Sequence, residues 1–281
     1  MAGLLYLVGT PIGNLGDMSP RALETLESAD FIAAEDTRVT LKLMNHFGIR
    51  KPLVSYYEHN RASSGERIAA RLEAGETCAL VTDAGMPAIS DPGEDLVRLC
   101  RSRGIEVRVV PGPSSVVSAV ALSGLPTGRF TFEGFLSVTK KSRFEHLNSL
   151  KSETRTMVFL EAPHKLKATL ADMLTVFGDR EISLSRELTK IHEETLSLTL
   201  SRACEIYEEQ SPRGEYVLCV RGAEPGSETV PDPEEAVKAI VALRKEGLSL
   251  KEASRRISEK TGISRKVLYD AVLERQEADE P

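Results

Sequence analysis

Short apolar runs alternate with segments of helical periodicity through the first half of the chain. Leu4–Val8, Phe31–Ala34, Thr77–Thr82 and Glu106–Val110 read as strands of four to six residues. Between them, Ser19-Pro20 predicts a helix N-cap followed by proline at the first helical position. A helix from Thr37 to near Gly48, another over Arg61–Ala74 ending at Gly75, and a third over Leu96–Arg103 closed by Gly104 complete the pattern. Strands separated by helices predict a largely parallel sheet. The second half continues with strands at Phe130–Phe135, Thr156–Leu160, Glu181–Ser185, Thr195–Leu198 and Glu215–Val220, and with a helix at Pro163–Val176. This half is expected to be more antiparallel.

Residues 223–235 carry three prolines, five acids and no base, the composition of a linker. Helical segments at 235–246, 250–260 and 264–274 follow. The last two join through Thr261-Gly262-Ile263 as a helix-turn-helix would. The expected organisation is therefore an N-terminal α/β domain over 1–120, a second α/β domain over 121–222, a linker over 223–235, and a basic helical tail over 236–281.

Composition changes little of this but removes several classes. The chain has 281 residues, is 41% hydrophobic and 28% charged, and carries a net charge of −6, as an ordinary globular protein does. No apolar stretch approaches the roughly 18 residues a membrane helix needs, and the start lacks the basic n-region of a signal peptide. Cys78, Cys100, Cys204 and Cys219 are widely spaced, which favours reduced thiols in a cytoplasmic protein. Five scattered histidines give no metal-ligand spacing, so no metal is expected. The charge is uneven: residues 1–37 hold six acids against Arg21, residues 140–167 hold seven bases against three acids, and residues 238–275 hold ten bases against five acids. A basic patch on an acidic protein can still bind an anion, although solvated helix faces would look the same.

Three loops rich in glycine and proline follow three strands: residues 9–16, 83–93 and 111–115. Ligands bind outside the carboxyl ends of strands in open α/β sheets, so convergence of the three would make a cleft. The first is neither a dinucleotide fingerprint nor a P-loop; it carries Thr10 and Asn14 toward a substrate or is simply a tight turn. In the second, Asp83 or Asp91 could accept hydrogen bonds from hydroxyl or ammonium groups. In the third, Ser114 could cap a helix while Ser115 faces a ligand.

Eight ordered stretches resemble the tetrapyrrole methylase superfamily, and within it the branch directed at ribosomal RNA: LYLVGTPIGNLGDMSPRA, AEDTR, LVTDAGMPAISDPG, VVPGPSS, FEGFL, FLEAPHKL, SRELTKIHEE and RGEYVL. They span about residues 4–220, and the tail resembles that branch's C-terminal extension. The resemblance implies a two-domain α/β fold with a cofactor cleft between the domains, usually in a homodimer. It implies methyl transfer from S-adenosylmethionine to a cytidine ribose 2′-oxygen in 16S RNA of the small ribosomal subunit. Carried over by position, the cofactor residues are Ala84, Gly85, Met86, Ile89, Ser114 and Ser115, with Leu160, Glu161, Glu187, Leu188, Gly214 and Glu215 from the second domain. Tetrapyrrole-modifying relatives often have GGDP or SGDP in the second loop, where this chain has Ala84-Gly85-Met86-Pro87; a small-molecule tetrapyrrole substrate is the competing reading.

A ribose hydroxyl is a weak nucleophile, so a base or an orienting group should help. Glu35, Asp36, Asp83, Glu187 and Lys190 are the candidates, and any of them could instead be a structural ion-pair member. Arg38 and Lys190 could neutralise a phosphate. Lys251, Arg255, Arg256, Lys260, Arg265 and Lys266 of the tail suit phosphate contacts. Tyr56, Tyr57 and His59 could stack on an extruded base or pack in the core.

Overall fold

The computed structural model describes residues 3–224, 233–245, 247–261 and 263–278. Most of the expected linker, and the Lys260 side chain, lie outside the described residues. The chain divides into two compact units, 1–222 and 223–281.

The first unit contains two five-stranded sheets. In the N-terminal lobe, β1 (Leu4–Val8), β2 (Phe31–Ala34), β3 (Leu53–Ser55), β4 (Thr77–Val81) and β5 (Glu106–Val110) lie in the order β3-β2-β4-β1-β5. All are parallel. Alternate residues of β2 explain its unbroken apolar run. Phe31 and Ala33 join Tyr56, Ile68, Leu72, Leu96 and Cys100 on one face, beneath α3 (Arg61–Glu73) and α4 (Glu94–Ser102). Ile32 and Ala34 join Leu26, Met44 and Val110 on the other, beneath α1 (Pro20–Ser28) and α2 (Thr37–His46). A sheet covered on both faces has no polar side to alternate with. Full burial of side chains such as Leu5, Phe31 and Leu80 stabilises the lobe by about 1.5–3 kcal/mol each. At the start of α1, Ser19 Oγ accepts from Ala22 N, with Pro20 at the first helical position.

The second lobe has β6 (Phe130–Phe135), β7 (Thr156–Glu161), β8 (Glu181–Arg186), β9 (Glu194–Thr199) and β10 (Tyr216–Val220), ordered β6-β7-β10-β8-β9. Only β6 and β7 run parallel; the other three pairings are antiparallel. One face packs on α6 (Lys140–Ser149), α7 (Pro163–Phe177) and α8 (Leu200–Glu209), through Leu147, Met173, Ala203 and Tyr207. The opposite face receives α5 (Ser115–Leu122), whose Ala119 and Val120 meet Val158, Val217 and Cys219. Helix α5 follows β5 directly, so its apolar sequence Ser-Val-Val-Ser-Ala-Val-Ala-Leu joins the two lobes into one unit.

Three elements had no counterpart in the sequence reading: β3, α6 and α8. In α6 one of the two buried residues, beside Leu147, is Arg143, a charge where periodicity demands an apolar side chain. Its Nε donates to Asp172 Oδ2 at 2.7 Å, and Nη1 donates to Ser137 O at 3.1 Å. Helix α8 does carry the signals, Thr199 as cap and Leu200, Ala203 and Tyr207 on its buried face.

In the second unit, α9 (Pro233–Lys245), α10 (Leu250–Thr261) and α11 (Arg265–Ala278) surround Ala236, Val237, Ile240, Ala253, Ile257, Leu268 and Val272. The spacing of those residues is the helical periodicity visible in the sequence. Lys251, Arg255, Arg256, Arg265 and Lys266 are all exposed, and Arg255 pairs with Glu252 at 2.6 Å.

Candidate active site

Because the first sheet is parallel, every strand delivers its C-terminal loop to one edge. From β1 the chain leaves toward β2 on one side, while from β4 it crosses β1 to reach β5 on the other. Loops diverge there, and a crevice opens. The three glycine-rich loops are stitched together at this point. Gly9 N donates to Val110 O (3.1 Å), Thr10 N to Gly85 O (2.9 Å), and Gly85 N to Thr10 O (3.1 Å). Gly9 and Gly112 touch backbone to backbone: a Cβ on Gly9 would lie 2.6 Å from Gly112 Cα. No side chain fits between β1 and β5 at that level.

The loop after β4 holds a high-energy path. Ala88 (φ 67°) and Ser90 (φ 64°) occupy the left-handed region, which costs non-glycine residues of order 1–3 kcal/mol each. Gly93 (φ 149°) leaves room for Ala88, whose Cβ would lie 2.9 Å from an added Cβ. Such strain persists only where the surroundings enforce it, and it clusters at functional sites.

The second lobe supplies the facing wall. Its loop after β8 has Glu187 (φ 52°) and Thr189 (φ 66°) in the same strained region. Lys190 Nζ bridges Glu187 Oε1 and Glu215 Oε2, each at 2.9 Å, and Glu215 N donates to Glu187 Oε1 at 3.0 Å. Burial works to lower the Lys190 pKa, but its two carboxylates outweigh this and the net shift is upward. The hydrogen bond from Lys190 is the main reason Glu187 sits below the usual carboxylate range. Gly13, on the N-terminal loop, lets the two lobes close here: a Cβ on it would lie 2.5 Å from Lys190 Cγ.

Between these walls lies a cavity of about 800 Å³. Of the residues the sequence singled out, Ala84, Gly85, Met86, Ile89, Ser114, Ser115, Leu160, Glu161, Leu188, Lys190 and Glu215 line it. Others do different work. Thr10 is buried and its Oγ1 donates to Thr82 O at 3.2 Å, so its hydroxyl pins two loops instead of meeting a substrate. Asn14 Oδ1 accepts from Gly16 N at 2.9 Å and holds the short turn Leu15–Asp17. Glu161 is buried, and its carboxylate meets Thr169 Oγ1 (2.5 Å), Ala162 N (2.8 Å) and Lys165 Nζ (3.0 Å), leaving it no part in ligand charge recognition. Glu187 and Gly214 support the wall from behind: a Cβ on Gly214 would lie 2.5 Å from Glu187 Cγ. Tyr56, a stacking candidate, is a core residue donating to Asp95 Oδ1 at 2.6 Å. Tyr57 and His59 form an edge-to-face pair away from the lining residues.

The acids at the ends of β2 and β4 form a group beside the cleft. Asp36 caps α2 and pairs with Arg38 at 2.6 Å; hydrogen bonds from Arg38 hold its carboxyl down to about 2. Asp83 Oδ1 accepts from Asp36 N at 3.1 Å, yet burial leaves its pKa raised. Glu35 accepts from Thr82 Oγ1 at 2.6 Å. Arg38 is exposed and reaches outward from this group.

Sequence reasoning passed over several lining residues, Ile12, Val116, Val117, Phe130, Phe132 and Phe135, while Asp91, named as a possible acceptor in the second loop, does line the cavity. The three phenylalanines alternate along β6, which the sequence showed as a strand without showing what it faced. Asp91 was visible as a polar residue in the loop; its place in the cleft depends on the strained backbone around it.

The geometry agrees with the comparisons. The model of the tetrapyrrole (corrin/porphyrin) methylase family matches residues 4–204, and that of the RsmI C-terminal HTH domain matches residues 230–276. The protein named ribosomal RNA small subunit methyltransferase I from Synechocystis is 47% identical over 273 residues, covering 97% of this chain and 98% of its own. The chain belongs to the ribosomal RNA small subunit methyltransferase I family. The Pseudomonas aeruginosa member is 44% identical over 280 residues, covering 98% of each chain. The Thermotoga maritima member is 49% identical over 222 residues, which are 79% of this chain and 100% of that one. Among solved structures, diphthine synthase is similar in fold, with a TM-score of 0.61 at 15% identity over 78% of this chain and 89% of that one. So is a Thermus thermophilus uroporphyrin-III C-methyltransferase complexed with S-adenosylhomocysteine, with a TM-score of 0.55 at 20% identity over 78% and 97%. The chain is accordingly an S-adenosylmethionine-dependent ribosomal RNA methyltransferase.

Proposed function

We propose that this chain methylates the ribose 2′-oxygen of a cytidine in 16S RNA of the small ribosomal subunit, using S-adenosylmethionine. The observation that carries the reading is identity of 42–47% over nearly the whole chain to proteins named for methylating small-subunit ribosomal RNA. The cleft is chemically compatible with it. The backbone and the small side chains of Ala84, Gly85, Ser114 and Ser115 leave room for a nucleoside, and Leu160, Leu188 and Val217 supply apolar cover. Gly85 sits at φ 86°, a backbone conformation that a side chain would strain, although an added Cβ would reach only ordinary contact with Ile12 Cγ2 at 3.4 Å.

Bound there, S-adenosylmethionine supplies a methyl group activated on a sulfonium. That positive charge falls as transfer proceeds, so a wall without a carboxylate fixed on the sulfur avoids favouring the ground state. Residues 84–86 present such a wall. The chain's main contribution is to hold the acceptor oxygen in line. Glu187 and Lys190 neutralise each other and shape the rim. Asp36 is held ionised by Arg38, whose guanidinium is bound to it. The exposed bases of the second unit, Lys251, Arg256, Arg265 and Lys266, fit phosphate contacts.

The Thermotoga relative, matched over its whole length by 222 residues, supports a supporting role for the tail. Deleting residues 236–281 is therefore expected to weaken RNA affinity while leaving chemistry intact. A tetrapyrrole methylase would be indifferent to it. Cys78, Cys100, Cys204 and Cys219 are free thiols, which supports a cytoplasmic setting, and among the described residues no helix is long and apolar enough to cross a membrane. Exposed Val109 on the edge strand β5 and Leu122 on α5 support a homodimer, which light scattering tests. The decisive assay supplies methyl-labelled S-adenosylmethionine with small subunits or naked 16S RNA. A labelled dinucleotide resistant to alkali is expected, because a 2′-O-methyl group blocks cleavage. Label recovered on a base, or none on RNA, refutes the proposal.

A further inference from the structure

We propose that Asp91 receives the 2′-hydroxyl proton during methyl transfer, at an acceptor end of the cleft walled by Ile89, Phe132 and Phe135. This deepens the ribose-methylation reading and rests on it. Three carboxylates line the cleft among the described residues: Asp91, Glu161 and Glu215. Glu161 is buried against Lys165, and Glu215 pairs with Lys190. Among the described residues Asp91 makes no ion pair. It lies in the loop after β4 near Glu35 and Asp83 and, unlike those acids, lines the cavity.

Its surroundings raise its affinity for a proton. Burial is the largest cause, opposed by a hydrogen bond from Thr82, and the charges of Glu35 and Asp83 add to it; together they lift Asp91 to about 6. Thr82 has a single hydroxyl proton and lies 2.6 Å from Glu35 Oε2, so it cannot fully satisfy both acids. Arg38, the nearby cation, is held by Asp36. Across the cleft Lys190 is engaged by Glu187 and Glu215, and Lys165 by Glu161. A carboxylate in such a setting is ionised at neutral pH and still a competent base.

Position matters as much as basicity. Ser90 (φ 64°) and Gly93 (φ 149°) bracket Asp91 and fix its backbone. A Cβ on Gly134 would lie 3.8 Å from Ser90 Oγ, so the bulged part of β6 abuts this loop. Phe132 and Phe135 leave 36% and 56% of their surface open, and Ile89 56%. Open rings lining the same cleft as a carboxylate suit an unstacked nucleoside, whose base would stack while its sugar meets the acid. In the step, the 2′-oxygen forms a bond to the methyl carbon as the carbon–sulfur bond breaks, the electron pair stays on sulfur, and the hydroxyl proton passes to Asp91 and then to water.

The test compares wild type, Asp91→Asn and Glu35→Gln in single-turnover methylation of small subunits from pH 5 to 9, with S-adenosylhomocysteine affinity measured by calorimetry. Asp91→Asn is expected to lower the rate about 100-fold with S-adenosylhomocysteine affinity within about twofold. The wild-type rate should fall as pH drops through about 6, because the base must be ionised. Glu35→Gln removes a neighbouring negative charge and should move that limb to lower pH. Three results would overturn the proposal: an Asp91→Asn rate within twofold of wild type, an unmoved limb in Glu35→Gln, or lost S-adenosylhomocysteine binding in Asp91→Asn, which would make Asp91 structural. Absence of ribose label with wild type would defeat the underlying reading instead, so the two failures are distinguishable.

Discussion

The two lobes of the first unit each have five strands, yet they hold the charges beside the cleft differently. In the N-terminal lobe Glu35 and Asp83 stand at the carboxyl ends of parallel strands, hydrogen-bonded to a hydroxyl and a backbone amide, and Asp36 pairs with the exposed Arg38. In the second lobe the charges are buried or bridged in pairs: Arg143 with Asp172, Lys165 with Glu161, and Lys190 with Glu187 and Glu215. Parallel topology explains the first pattern, since it gathers loops at one edge, where groups remain free for a ligand. Antiparallel pairing scatters loops to both ends, and the second lobe fixes its share of the cleft with ion pairs. On the proposed reading, the first lobe brings an acid to the acceptor and the second forms the facing wall.

Substitutions should separate these roles. The largest loss of stability is expected from Asp172→Ala, which leaves Arg143 buried without its carboxylate; about 3–5 kcal/mol should be lost in denaturant unfolding. A loss below about 1 kcal/mol would remove the claim that the second lobe depends on its pairs. Next comes Gly9→Val, which forces side-chain atoms into the Gly112 backbone. A destabilisation of about 1–3 kcal/mol is expected, together with loss of S-adenosylhomocysteine binding by calorimetry. Unchanged binding would show that the stitched loops are not needed for the cleft.

Tyr56→Phe removes a hydrogen bond to Asp95 within the first lobe's core and should cost about 1 kcal/mol by thermal unfolding, with methylation unaffected. Reduced RNA binding in this variant would return Tyr56 to the acceptor site. The smallest effect is expected from Lys190→Met. Glu187 has a depressed pKa in the folded state, so its bond to Lys190 contributes stability above the ordinary carboxylate range, and the contribution is lost as pH falls through the folded value. Lys190→Met should therefore lower stability at pH 7 by less than about 1 kcal/mol and flatten the acid-side decline in unfolding free energy. An unaltered pH dependence would mean that the bridge holds shape without electrostatic consequence.

Much of this was legible in the chain. Buried strands read plainly because a sheet covered on both faces needs unbroken apolar runs, as Phe31–Ala34 illustrates. The three loops read plainly because only glycine tolerates the approach of Gly9 to Gly112. Helix α6 was invisible because Arg143 occupies its buried face, and no periodicity announces a charge whose partner lies 29 residues away. Thr10, Asn14 and Glu161 drew attention as polar residues in promising loops, but polarity does not say whether a group faces a ligand or its own backbone.

Local sequence thus determined every strand but β3, the positions of the glycine-rich loops and the helical tail, because each follows from spacing and residue type within a few positions. Tertiary structure decided which acids meet the cleft and which are neutralised. Proton affinity and accessibility depend on distances between segments dozens of residues apart: Asp91 near Glu35, Gly134 of β6 beside Ser90, and Lys190 between two carboxylates. Those distances exist only once both sheets and the helix joining them have packed.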